Sequence, residues 1–250
     1  MIRHVLFITL FLLMLGGRAA FGQDLAITDT NGDGVVSSIA FGDSITYGVG
    51  DASGLSGYPT RVSTLLGIPV TNVGDPGEIL TVDGVNRFPS VLATSSADAV
   101  LILEGVNDAV HRIDSAEVRR TYQRLVNVAQ VLGKSPILMT LPKPCCDHGA
   151  LSPFTESYSA EVKDIAALNG LSYVDLERAW NSTCQNKNEC ELYNLPEGLH
   201  PNATGYDVLG QTIAASMLGI NIFGIDGAKD LEDALGLAEG SVIVKPDEVE

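Results

Sequence analysis

The chain is poor in basic residues. Its 250 residues hold 15 Lys and Arg against 31 Asp and Glu, a formal net charge of −16. Such a surface repels phosphate backbones and anionic lipid heads, so no nucleic-acid or membrane-surface partner is expected. Aromatic residues make up only 6%, with one Trp, and charged residues 18%. No internal repeat is visible. No apolar run reaches the ~20 residues of a membrane-spanning helix. What remains, with hydrophobic residues at 45% and 26 Gly, is ordinary globular composition. It excludes disorder, collagen and coiled coil as whole-chain readings, and the length suits one sizeable domain.

The longest apolar run, residues 5–17, follows Arg3 and His4. Ala20-Phe21-Gly22 comes next, a small-residue cleavage pattern before Gln23. This order is that of a signal peptide. It implies a secreted or periplasmic mature protein with no stable membrane anchor after processing. Export bears on the four cysteines, Cys145, Cys146, Cys184 and Cys190. Outside the cytosol an even count reads as disulfides. Pairing Cys145 with Cys146 demands a strained ring, so two bridges from the 145–146 pair to Cys184 and Cys190 are expected. A local Cys184–Cys190 loop is one alternative. A metal site with Asp147 and His148 is another, although adjacent cysteines lack the usual zinc spacing.

Apolar runs alternate with amphipathic stretches, the pattern of an α/β domain. Strands are expected at 36–41, 68–73, 97–103, 136–141 and 171–176. Helices are expected at 58–66, 85–94 (interrupted at Pro89), 115–132, 154–168 and 203–218. In the clearest helix Val118, Tyr122, Leu125, Ala129 and Leu132 form one stripe. Asp114 and Glu117 fit a capping box there, and Gly133 fits a stop. Five strands separated by helices predict a flavodoxin-like three-layer α/β/α sandwich with a five-stranded parallel sheet and right-handed crossovers. The domain would span 36–220, after the leader at 1–22 and an N-terminal segment at 23–35. A C-terminal appendage at 221–250 would add a helix at 228–237 and an acidic end.

The N-terminal segment carries Asp29, Asn31 and Asp33 at the first, third and fifth positions of a calcium-loop pattern. Ala40 stands at the twelfth, where a bidentate Glu belongs. An Asx- and Gly-rich turn is the better reading.

Ligands in open α/β sheets gather at the carboxyl ends of the strands. Four polar segments fall at expected strand ends or before the last helix: Gly42-Asp43-Ser44, Asn72 to Gly77, Gly105-Val106-Asn107-Asp108 and Glu197-Gly198-Leu199-His200. A Ser hydroxyl attacks well only when a neighbouring base takes its proton. His200, with an ordinary imidazole pKa of about 6.5, is that base. Glu197, three residues earlier, is the candidate to orient it. Attack on an ester carbonyl creates an oxyanion, for which the Ser44 and Gly77 N–H groups and the Asn107 amide are candidate donors. Asp43 and Asp108 read as backbone braces, His111 as a surface residue, His148 as a crevice-rim residue and Trp180 as packing.

These four segments together resemble the GDSL or SGNH hydrolases, named for Ser, Gly, Asn and His from four blocks. Ser44, Gly77, Asn107 and His200 match them in order, over roughly residues 36–218. The resemblance implies a Ser-His-acid esterase or lipase that needs no cofactor. Two departures stand out. Gly-Asp-Ser is followed by Ile45 rather than Leu, and the acid three residues before the His is Glu197 rather than Asp. The expected activity is hydrolysis of small-molecule or glycan esters with short acyl chains, through an acyl-enzyme. A lysophospholipase or thioesterase using the same residues is the alternative enzyme. A non-catalytic binding module on the same fold is the alternative outside enzymes.

Overall fold

The computed structural model describes residues 27–186 and 188–245. The leader reading at 1–22 and the acidic end at 247–250 lie outside the described residues. Five strands form one parallel sheet: β1 (Ser38–Gly42), β2 (Val70–Gly74), β3 (Ala99–Leu103), β4 (Ser135–Met139) and β5 (Tyr173–Val174). Their order is β2-β1-β3-β4-β5. β1 is an interior strand between β2 and β3, with Ser38 opposite both Val70 and Ala99. All residues of β1 and β3 are buried. That explains the absence of polar alternation in their sequences, because helices cover both faces of the sheet.

The helices among the described residues are α1 (Ser44–Tyr47), α2 (Tyr58–Leu66), α3 (Val85–Ala93), α4 (Val106–Val110), α5 (Ser115–Val131), α6 (Ser152–Asn169), α7 (Leu176–Thr183), α8 (Ala203–Met217) and α9 (Gly227–Leu235). α2 packs on α8, which also carries α7; α3 packs on α5, and α5 on α6. Right-handed crossovers put these two groups on opposite faces. The chain steps one way from β1 to β2 and the other way to β3. This reversal opens a crevice at the carboxyl ends of β1 and β3. Large side chains seal the layers. Trp180, Tyr58, Tyr122, Phe41 and Phe88 are all fully buried, each worth roughly 1.5–3 kcal/mol of transfer free energy or more.

The five strands and the sandwich agree with expectation, but three local readings do not. α3 runs through Pro89 without interruption. Phe88 and Leu92 are buried on either side of it, and Phe88 meets Phe41 edge-on at 4.9 Å. That packing outweighs the one helix hydrogen bond a proline removes. β5 is two residues long instead of six, because the Asp175 side chain accepts the Arg178 N–H (3.2 Å) and starts α7 at once. α7 itself was not anticipated, although an Asp cap followed by Glu177 is a helix-start signal. Beyond α8, the segment through 245 is tied back onto it. Gln211 Nε2 donates to Ser241 O (2.9 Å), and the Ile243 N–H donates to Gln211 Oε1 (2.9 Å).

One buried cation links the crevice to the helices. Arg61 of α2 is 5% exposed and bonds Asp51 Oδ2 (2.6 Å) and Asp207 Oδ1 (2.5 Å). It joins the loop after α1 to α8.

Candidate active site

Ser44 is the first residue of α1, immediately beyond the end of β1. Asp43 caps the helix, its Oδ1 accepting the Ile45 N–H (2.9 Å). Asn72 at β2 holds the other end of α1, its Nδ2 donating to Thr46 O (2.9 Å) and Tyr47 O (3.2 Å). Ser44 is 7% exposed. His200 comes from the loop before α8, and its Nε2 stands 2.9 Å from Ser44 Oγ. On the other side of the ring, His200 Nδ1 lies 2.6 Å from Glu197 Oε1.

The second Glu197 oxygen, Oε2, accepts the Leu199 N–H (3.1 Å) and the His200 N–H (2.9 Å). Burial acts to raise the Glu197 pKa. The two amides and the imidazole outweigh it and hold the carboxyl below its usual range. Glu197 therefore stays ionised across neutral pH, as a group that compensates an imidazolium must. The glutamate's extra methylene relative to aspartate is accommodated without loss of either contact.

Asp75 N–H donates to Gly42 O (2.8 Å), fastening the turn after β2 to the end of β1. Gly77 follows in that turn with φ +88°. Asn107 of α4 reaches the same turn, its Nδ2 donating to Glu78 O (2.9 Å). One N–H of that amide is thereby fixed and the second is free to point elsewhere. Among the described residues neither the Ser44 N–H nor the Gly77 N–H has an acceptor. Asp108, expected as a brace, accepts the Leu80 N–H (2.8 Å), the Thr81 N–H (3.1 Å) and the Thr81 hydroxyl (2.7 Å). A family model of the GDSL-like lipase/acylhydrolase family matches residues 40–208, which include all four segments.

The chain belongs to this GDSL-like lipase/acylhydrolase family. Solved structures agree on the fold. The acetylxylan esterase of Geobacillus stearothermophilus superposes with a TM-score of 0.61 at 23% identity, over 73% of this chain and 94% of that one. A metagenomic alpha/beta hydrolase from Lake Arreo, Spain, gives 0.62 at 20% identity, over 73% and 94%. A putative lipolytic G-D-S-L protein of Desulfitobacterium hafniense gives 0.61 at 21%, over 72% and 99%. Among curated proteins, no sequence matches. The chain is a GDSL-type hydrolase of the esterase class.

Beneath the serine of this GDSL enzyme lies a cluster that sequence reading missed. Asp43, Glu78, Glu104 and Asp108 are each at most 4% exposed. Among the described residues the cation that pairs with this cluster is Arg87, which bonds Glu78 (2.5 Å). Burial pushes Asp43 up to about 7, the Ile45 amide opposes, and the charges of Asp108 and Glu78 add to the rise. Burial and the neighbouring carboxylates raise Glu104 well above its usual range. Burial also raises Asp108, against the bonds from Thr81 and Leu80. Glu104 and Asp108 flank Asn107 in sequence, but only the sheet brings them over Asp43.

The other named residues fall as follows. The Asp29 carboxylate accepts the Gly32 and Gly34 N–H groups (2.7 and 2.8 Å), Asn31 Oδ1 the Asp33 N–H (2.8 Å) and Asp33 Oδ1 the Val35 N–H (2.9 Å). Those are the bonds of an Asx-rich turn. His111 is exposed, its ring Nδ1 2.8 Å from Asn107 O. Trp180 is buried against Tyr193. The cysteine expectation needs correction. The bridge is Cys184–Cys190, the local loop, and not two links from the 145–146 pair. The two lie only six positions apart in sequence, so the loop closes with little loss of chain entropy. Cys145 and Cys146 lie outside that bridge, with sulfurs 2.6 Å apart.

Proposed function

We propose that this chain is an exported carboxylic ester hydrolase acting on short acyl esters of small molecules or glycans. Ser44 Oγ attacks the acyl carbon while His200 Nε2 takes its proton. His200 then returns the proton to the leaving alcohol, and water releases the acyl group by the same route reversed. Glu197 holds the imidazole by Nδ1 and compensates its positive charge. The Ser44 and Gly77 N–H groups and the free Asn107 N–H receive the oxyanion, each worth ~10²–10³ in rate.

The observation that carries this reading is the relay Ser44 Oγ to His200 Nε2 (2.9 Å) and His200 Nδ1 to Glu197 Oε1 (2.6 Å). Support for export comes from the apolar run at 5–17 and from the Cys184–Cys190 bridge. Support for a short acyl on a glycan comes from the fold neighbour named as an acetylxylan esterase and from the net charge of −16, which disfavours anionic substrates. The test is hydrolysis of p-nitrophenyl esters from acetate to palmitate, and of acetylated xylan. Turnover should peak at the shortest chains and fall ~10⁴–10⁶-fold in Ser44→Ala. Full activity in that variant removes Ser44 from its role. A peak at long chains or thioesters replaces the substrate class.

A further inference from the structure

The loop that carries Glu197 and His200 is gripped by the chain segment that follows β4. Three consecutive carbonyls of the loop each face a donor from that segment. Pro196 O accepts the Asp147 N–H (3.2 Å) and Gly198 O the Cys145 N–H (3.0 Å). Between them, Glu197 O lies 2.7 Å from His148 Nδ1. A carbonyl can only accept, so His148 carries its proton on Nδ1. Gly198 lies so close to the segment that a Cβ there would overlap the Cys145 carbonyl and crowd Cys146 Cβ.

Among the described residues no other hydrogen bond holds Glu197 from outside its own loop. Both Glu197 oxygens are committed, one to the His200 ring and the other to the amides of Leu199 and His200. Its backbone carbonyl is the remaining handle, and His148 holds it. The segment in turn has a feature that stiffens it. The sulfurs of Cys145 and Cys146 stand 2.6 Å apart, well inside the ~3.5–4.0 Å of non-bonded heavy atoms. Cys146 takes a left-handed φ of 57°, a conformation that a side chain adopts at a cost. Cys145 is buried and accepts the Cys190 N–H at its sulfur (3.4 Å). Burial pushes its thiol up to about 12, and Cys146 is the less buried of the two.

We propose that Cys145 and Cys146 close into a disulfide between neighbours, and that the segment 145–148, with His148 on the Glu197 carbonyl, is a positioning element for the catalytic acid. The positioning half rests on the Ser44–His200–Glu197 reading above. Closure joins the two Sγ atoms and removes one hydrogen from each thiol. A small-molecule disulfide such as oxidised glutathione accepts the two electrons and two protons and leaves as two thiols. The ring removes backbone freedom at 145 and 146, so the donors at 145, 147 and 148 stay where the loop needs them.

The covalent half is tested without any assay of activity. The full chain is equilibrated with oxidised glutathione, denatured, treated with a maleimide, digested and weighed. The expected result is no maleimide on any cysteine and a peptide with Cys145 and Cys146 lighter by two hydrogens than its dithiol form. Maleimide on both residues, or a cross-link from either to Cys184 or Cys190, overturns it.

The positioning half is tested with His148→Ala and His148→Asn, whose amide restores a donor near Nδ1. In His148→Ala, kcat should fall about 10- to 100-fold with KM unchanged. The acidic limb of its kcat/KM profile should move to lower pH, because a displaced Glu197 stabilises the His200 imidazolium less. His148→Asn should recover most of both. A folded His148→Ala with unchanged kcat and an unmoved limb overturns the role of His148. Titration of the natural protein with dithiothreitol gives a second reading that needs no variant. Activity should fall in step with opening of the 145–146 pair, mapped by alkylation. Loss that tracks only Cys184–Cys190 overturns the role of the pair. Retained hydrolysis in Ser44→Ala would instead sink the site reading and leave the thiol map standing.

Discussion

Ser44 and His200 meet in one crevice, but different kinds of structure bring them there. Ser44 stands one residue beyond the interior strand β1 and opens a helix whose cap is the preceding residue. Its surroundings are sheet, turn and buried carboxylates. His200 lies in a stretch from 184 to 202 whose only ordered pairing among the described residues is the bridge Tyr193–Pro201. That stretch is held by scattered backbone bonds, such as those of Cys145 and Asp147 to Gly198 O and Pro196 O, and by side chains. Asn194 Nδ2 donates to His200 O (3.1 Å), Pro201 O (3.0 Å) and Gly50 O (3.2 Å). Tyr193 Oη donates to Lys143 O (3.0 Å). Ser44 is positioned by the sheet and His200 by a set of cross-braces. The first should resist local change, and the second should respond to it in rate before stability.

The comparison breaks first at the acid. Glu197→Gln removes the compensating charge and leaves most of the loop's hydrogen bonds, and kcat should drop ~10³–10⁴-fold with little change in melting temperature. A drop below tenfold would mean that the backbone alone orients His200. Next comes the sheet side of the oxyanion, where Asn107→Ala should cost ~10²–10³ in kcat. Its thermal stability should change little, because the bond lost to Glu78 O is replaced by water.

A matched pair of glycine variants sharpens the contrast. A Cβ at Gly42 would overlap the Thr46 side chain and the Leu103 carbonyl, both in the packed sheet region. Gly42→Ala should therefore lower stability by ~1–3 kcal/mol or more, read in a urea melt. Gly198→Ala would overlap the Cys145 backbone and crowd Cys146 Cβ, at a φ of +74° that already disfavours a side chain, in a loop outside the packed sheet. It should lower kcat more than it lowers stability. Equal stability losses would erase the distinction between the two sides.

The smallest effect concerns pH. Glu104 holds its proton well above the usual carboxylate range in the fold, and the unfolded chain releases it near the ordinary 4.5. Between those values the unfolded state binds fewer protons, so this group makes stability fall as pH rises, by ~1.4 kcal/mol per pH unit. Glu104→Gln should flatten the fall in unfolding free energy as pH rises above the ordinary carboxylate range. Glu197 acts in the opposite sense. Its lowered pKa gives stability above the ordinary carboxylate range that is lost as pH falls through the folded value.

Much of the site was legible because its signals are local. A cap and its helix lie one residue apart, so Asp43-Ser44 announces its own turn. The five apolar runs announced the parallel sheet, and the sheet fixes where their ends gather. The acid at Glu197 was legible through its three-residue spacing to His200. What was not legible depends on distant partners. Arg61 joins residues from 51 to 207. The buried acids share a space that no sequence window contains. The cysteine pairing was not legible either: the bridge is the local Cys184–Cys190 loop, although the fold also sets the Cys145 sulfur against the Cys190 N–H (3.4 Å).

The order of residues alone picked out the candidate side chains and the turn that presents each of them. Those choices rest on hydrogen bonds and apolar periods within a few residues, and they need no knowledge of the rest of the chain. Tertiary structure decided that a serine and a histidine 156 residues apart stand within hydrogen-bond reach, and which carbonyls fasten the loop between them. Such contacts form only when separate surfaces are buried together, and that depends on how every layer of the sandwich packs.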